Sequence, residues 1–204
     1  MKIKKQLKRD IARRKKLTAA SLFIMILMVY LVAVLNDQGI FMGWEKYFAF
    51  LYVGVVNLLL FVNIVKLVSD DKFQLILGNQ KVRIKDSFFK SPFNINLDKI
   101  IYIDIVERKN YEFEIVIIME KLKRNKRFVK FDNSFIKGDP GYKKVYTHLR
   151  NSYKDKDLYC YIIKKAGARK YYYLYLLYKN SYNAEFSQLA LNYVRTFMEE
   201  YNLS

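Results

Sequence analysis

The sequence predicts a membrane-anchored α+β protein: a membrane α-helical hairpin, then a cytoplasmic domain of curved antiparallel sheet with an amphipathic C-terminal helix. Three observations predict it. Residues 17–35 (LTAASLFIMILMVYLVAVL) and 47–65 (YFAFLYVGVVNLLLFVNIV) are two uncharged apolar runs of nineteen residues each. A dense basic tract precedes the first run. The remaining chain shows strand periodicity punctuated by turns and closes on a helical pattern.

At a rise of 1.5 Å per residue, each apolar run makes a helix of roughly 28 Å, about the hydrocarbon thickness of a bilayer. Neither run has a polar stripe that could face water, which argues against two core helices of a soluble protein. A cleaved secretory signal is the rival reading of the first run. Its apolar stretch is longer than an ordinary signal core, and Asn36, Asp37 and Gln38 offer no small-x-small cleavage site. The second run is interrupted only by Asn57 and Asn63, six residues apart and so on different faces of a helix. Each would seek a partner such as Thr18 or Ser21, and they form no polar stripe of the kind a channel needs.

The charge distribution sets the orientation. Lys2, Lys4, Lys5, Lys8, Arg9, Arg13, Arg14, Lys15 and Lys16 precede the first run against one acid, Asp10. The connector, residues 36–46, carries only Asp37, Glu45 and Lys46. The positive-inside rule then places both termini in the cytoplasm and the connector outside. Trp44, Tyr47 and Tyr30 fall near the expected interfaces, and Lys66 and Lys72 mark the inner exit. The expected division is a basic cytoplasmic segment (1–16), a first transmembrane helix (17–35), a short extracytoplasmic loop (36–46), a second transmembrane helix (47–68) and a cytoplasmic domain (69–204). The richness in Lys, Tyr, Ile and Asn, with two Pro, suggests an AT-rich bacterial genome and hence a multi-pass protein of the bacterial cytoplasmic membrane. One cysteine, Cys160, excludes an intrachain disulfide and a cysteine-cluster metal site, as suits a reducing compartment.

No linker follows the second run, so the domain starts close to the lipid surface. Residues 73–77 (FQLIL) and 81–84 (KVRI) read as strands around a Gly78-Asn79 turn. Residues 94–109 alternate through Ile95, Leu97, Ile101, Ile103 and Ile105, with a register break near Asp98 and Lys99. Residues 113–119 and 127–131 form the next expected hairpin, joined by a basic loop. Asp139 and Pro140 then open a helix whose Tyr142, Val145, Tyr146, Leu149 and Tyr153 repeat at helical spacing. A second hairpin is expected from residues 158–164 and 169–179 around a turn at Lys165, Ala166 and Gly167. Asn183 is the expected cap of the last helix, with Phe186, Leu189, Ala190, Tyr193, Val194, Phe197 and Tyr201 as its apolar face.

This layout (a span hairpin, then FQLILGNQKVRI, then FNINLDKIIYIDIVERK, further strands and a closing helix) resembles the pleckstrin-homology-like (PH-like) domains of small two-span bacterial membrane proteins. The helix after Pro140 departs from the simplest form of that fold. The resemblance covers most of the chain and implies a β-rich scaffold that binds lipid headgroups or a protein partner, with no catalytic residue to carry over. A related layout occurs in some membrane-bound immunity proteins of bacterial toxin systems, so protection against a toxin acting at the bilayer is the alternative function.

The candidate contacts for anionic lipid are the N-terminal tract, Lys2 to Lys16 as named above, and the turn cluster Lys164, Lys165, Arg169 and Lys170. The loop bases Lys121, Lys123, Arg124, Lys126 and Arg127 form a further cluster. Tyr171, Tyr172, Tyr173 and Tyr175 beside the turn cluster could stack on nucleic acid, yet a strand would send alternate rings to opposite faces, so nucleic acid is disfavoured. Catalysis, cofactor and metal are not expected. His148 falls on the polar side of its helix, Cys160 reads as a buried thiol, and no glycine-rich phosphate loop, HExxH or nucleophile elbow is present. An integral membrane protein with an unidentified protein partner or an anionic lipid surface as ligand is the expectation.

Overall fold

The computed structural model describes residues 3–87, 90–108, 112–120, 127–154 and 156–203. The chain divides into two compact units, one of residues Lys4–Lys72 and one built around Phe73–Ser204.

The first unit holds two long helices, α1 (Ile3–Asp37) and α2 (Glu45–Asp71). Both are long and apolar enough to be candidate membrane spans, and almost none of their apolar surface is buried. The basic tract is part of α1, one unbroken helix running into the first apolar run. Asn57 Oδ1 is buried without a hydrogen-bond partner, and Asn63 is exposed.

The second unit is α+β. Strands β1 (Gln74–Gly78), β2 (Lys81–Lys85) and β3 (Phe93–Asn96) form an antiparallel three-stranded sheet in that order. The β1–β2 turn is tight because Asn79 and Gln80 both adopt positive φ, 49° and 58°, so the turn sits one residue later than Gly78-Asn79. The register break near Asp98 is a short 3₁₀ turn, Leu97–Lys99, at which the chain leaves one sheet for another.

The second sheet contains β4 (Ile100–Glu107), β5 (Phe113–Glu120), β6 (Val129–Lys130), β7 (Leu158–Ile163) and β8 (Glu185–Phe186) in the order β6-β7-β5-β4-β8. All pairs are antiparallel except β4 with β8, which is parallel. Central β5 is buried on both faces, as its unbroken apolar run demands. Its odd-numbered residues Phe113, Ile115, Ile117 and Met119 enter one core, and Val116 and Ile118 enter a second core on the opposite face. The irregularity between Ile100 and Tyr102 resets the alternation in β4, so that Ile101 faces the second core while Ile100 and Ile103 face the first.

The first core is closed by the inner face of β1–β3, by α5 (Arg169–Asn180) and by α6 (Gln188–Tyr201). The second is closed by α3 (Asn133–Gly138) and α4 (Lys143–Ser152). The expected apolar stripe of Tyr142, Val145, Tyr146, Leu149 and Tyr153 lies in that second core. Pro140 opens a 3₁₀ turn rather than an α-helix, and Asp139 makes no side-chain cap there. The cap of this region is Asp132, whose carboxylate accepts from the Ser134 and Phe135 amides and is held below its ordinary pKa by Ser134 and those amides. Ser187, not Asn183, caps α6, accepting from the Ala190 amide.

Two expected hairpins are not formed. β7 lies between β6 and β5, so residues 127–131 pair with β7 instead of β5. Among the described residues the outer edge of β7 is paired only at Tyr159 and Cys160, and residues 169–179 add no strand to it. They form helix α5, burying Lys170, Tyr173, Leu174 and Leu177 at helical spacing. The run YYYLYLLY satisfies either period, and in the fold it is the helical one that carries Tyr173, Leu174 and Leu177 into the first core.

Helical packing of α5 makes a specific mutational expectation. Leu174→Ala and Leu177→Ala should each cost about 2–5 kcal/mol in denaturant unfolding of the detergent-solubilised chain, with half-buried Leu176→Ala costing less. A strand would make Leu174 and Leu176 the costly pair and spare Leu177.

Candidate functional site

Three groups of cations bear on binding. The first is the N-terminal tract. Lys4, Lys5, Lys8, Arg9, Arg13, Arg14, Lys15 and Lys16 lie in the first turns of α1, and Lys2 lies outside the described residues. At 100° per residue these bases wrap most of the helix circumference, and Arg14 falls on the same side as Ile3, Leu7 and Ile11. Lys5, Lys8, Arg9, Arg13, Lys15 and Lys16 are exposed, and Arg14 is half-buried. Thirteen helical residues extend the charge over roughly 20 Å of axis.

The second group, at the start of α5, does not form the expected cationic turn. Lys164 is exposed, while Lys165 and Arg169 are half-buried with partners of their own. Lys170 is only 3 % exposed. Its ammonium donates to the Phe113 carbonyl and, at 3.3 Å, to the Lys164 carbonyl, and lies 5.0 Å from the centre of the Phe113 ring. Lys170 is therefore a structural residue that ties α5 to the ends of β5 and β7, and it is withdrawn from the lipid candidates. The physical reason is the helix: in a hairpin Lys170 would sit near an exposed tip, whereas in α5 it occupies the buried stripe. Lys121, Lys123, Arg124 and Lys126 lie outside the described residues, and Arg127 stacks 4.8 Å from the Phe93 ring centre.

The same helix consumes the tyrosines. Tyr171 stacks on Tyr193, with ring centres 5.4 Å apart and planes 13° from parallel, and meets Phe113 edge-on. Tyr173 is buried and its hydroxyl donates to the Phe73 carbonyl at 3.2 Å. Tyr175 packs on Phe197. These rings serve the core, not an open stacking platform.

The third group is one that sequence reasoning passed over. Lys81, Arg83 and Lys85 alternate along β2 with the core residues Val82 and Ile84, so all three project from the free face of the three-stranded sheet. Arg83 lies opposite Ile76 of β1, which is 54 % exposed, and opposite Asn94 of β3. Lys85 lies opposite Gln74, and Lys81 opposite Gly78 and Asn96. None of these face positions is a carboxylate, and among the described residues none of the three cations makes an ion pair. The signal was present in the sequence as KVRIK, where every polar position is basic.

Several other cations are paired with acids. Glu120 is bridged by Lys156 and by Lys99 at 3.1 Å, and these partners hold its carboxyl below the ordinary range. Arg108 binds Glu114 at 2.9 Å and Asp139 at 3.2 Å, linking β5 to the turn before α4 and raising the guanidinium pKa. His148 is exposed and 3.4 Å from Glu185. Cys160 is a fully buried thiol whose burial raises its pKa to about 12. Comparison of the chain with protein-family models, curated proteins and solved structures finds no match.

Burial of Cys160 generates a prediction about pH. The unfolded thiol ionises near 9 and the folded one near 12, so the unfolded state loses its proton first and stability declines from about pH 9 upward. Burial raises the pKa of Tyr102 to about 12 as well, and also raises those of Tyr142 and Tyr161, which adds to the decline above the ordinary tyrosine range. The urea midpoint should hold steady from pH 7 to 8.5 and fall steadily above 9. Cys160 should resist iodoacetamide at pH 8 until denaturant is added.

Proposed function

We propose that this chain is a small integral protein of the bacterial cytoplasmic membrane, with two spans and both termini in the cytoplasm. Its PH-like domain binds a protein partner or the anionic lipid surface in a regulatory role, without catalysis. The observation that carries the reading is the exposed apolar surface of α1 and α2. Phe23, Ile26, Phe48 and Leu59 are each about two-thirds exposed, and residues like them continue along both helices. Apolar area costs about 25 cal/mol per Å² when wetted, so two such helices are at home in hydrocarbon. The basic tract at the start of α1 and the charge-poor connector supply the orientation.

Support for a PH-like scaffold comes from the order of elements: antiparallel strands first, then a C-terminal amphipathic helix whose Ala190 and Val194 enter the core of the sheet. The inserted α3 and α4, the additional helix α5 and the parallel strand β8 are elaborations on that plan. A binding role is supported by the exposed bases of α1 and by the row on β2.

Reporter fusions test the topology. Alkaline phosphatase should be active when inserted in residues 36–46 and inactive at the C-terminus, where green fluorescent protein should fluoresce; the reverse pattern refutes the orientation. Replacing both spans by an unrelated two-helix hairpin should preserve capture of partners by the domain. Loss of function with the domain intact would instead indicate immunity exerted within the bilayer.

A further inference from the structure

The free face of the β1–β2–β3 sheet is a built cationic surface. Its inner face is core, with Leu75, Val82, Ile84 and Ile95 buried, so the outer side chains are fixed on a rigid platform. Successive outward residues on a strand are about 7 Å apart, which sets Lys81, Arg83 and Lys85 in a row roughly 14 Å long. Like charges at that spacing repel one another, and no carboxylate on the face offsets them. Elsewhere on the two sheets the described cations Lys130 of β6, and Lys99 and Arg108 at the ends of β4, are paired with acids, so the row on β2 is the unpaired cationic group of the sheets.

We propose that this face lies against the inner leaflet and binds the phosphate groups of anionic lipids. Lys81 and Lys85 act as point charges, Arg83 grips phosphate oxygens with its planar fork, and Ile76 beside Arg83 enters the apolar boundary. This deepens the membrane reading above and rests on it. Lipid is favoured over a soluble polyanion by two features. Only Lys72 and Phe73 separate α2 from β1, so the chain tethers the sheet within a few residues of the candidate span. The exposed Ile76 in the middle of the face suits a surface with an apolar layer beneath its charges, which a nucleic acid backbone lacks.

The test uses the full chain in nanodiscs of phosphatidylcholine alone or mixed with phosphatidylglycerol, after alkaline extraction has shown whether the chain is integral. Amine acetylation followed by mass spectrometry then reads each lysine. Lys81 and Lys85 should be protected in the anionic discs and not in the neutral ones, with protection lost at high salt. Exposed Lys143 and Lys144 on α4 should react equally in both. Three cations at an anionic surface combine at about fivefold each, so replacing all three by Gln should lower the contact equilibrium roughly 100-fold. The same change at Lys137, Lys143 and Lys144 should leave it unaltered. Equal acetylation of Lys81 and Lys85 in both lipids overturns the proposal while leaving the anchor intact. Release of the chain by alkali overturns the anchor, and the proposal with it. Protection by a single-stranded oligonucleotide in neutral discs, without protection by phosphatidylglycerol, overturns it in favour of nucleic acid.

Discussion

The domain depends on one strand that has no side facing water. Phe113–Glu120 pairs with a neighbour along each edge and is buried on both faces, so both faces of the five-stranded sheet need a cover. On one side the three-stranded sheet joins α5 and α6, and on the other α3 and α4 pack. Each cover is amphipathic because its inner side meets apolar residues of β5 and its outer side meets water. The order of the sheet follows too. β5 takes β4 on one edge and β7 on the other, and β6 is left to pair with the far edge of β7.

That arrangement sorts the cations. Bases at strand ends meet acids and become ties: Lys99 and Lys156 clamp Glu120, and Arg108 joins Glu114 to Asp139. Lys170 is drawn inward and spends its charge on backbone carbonyls at the ends of β5 and β7. What remains outward and unpaired on the sheets is the row on β2, whose opposite face is needed by the core. The function we propose therefore draws on the charges that folding does not use.

The two apolar helices were legible in the sequence because hydrocarbon-thick runs need no partner within the chain to be recognised. Their lengths were not, since α1 extends back through the basic tract to Ile3 and is much longer than its apolar run. Strands β1, β2, β4, β5 and β7 were legible from apolar periodicity, as was the stripe from Tyr142 to Tyr153. The helical state of residues 169–180 was not, since a run of aromatic and leucine residues fits a period of two as readily as 3.6. Lys170 was assigned to the surface for the same reason. The row Lys81, Arg83 and Lys85 was visible as a pattern, but its meaning depends on which neighbours share its face, and those come from strands up to fifteen residues away in sequence.

By itself the sequence determined what is local: apolar runs of spanning length, the bias of charge between their flanks, and alternation that marks one face of a strand for burial. These depend on residues a few positions apart. Tertiary structure alone decided which strand lies beside which. β7 lies between β5 and β6, the tyrosine-rich segment is a helix that buries Lys170, and β2 carries an acid-free outer face in a separate sheet. Edge pairing is a competition among distant segments for the same backbone hydrogen bonds, and no single segment carries the outcome in its own residues.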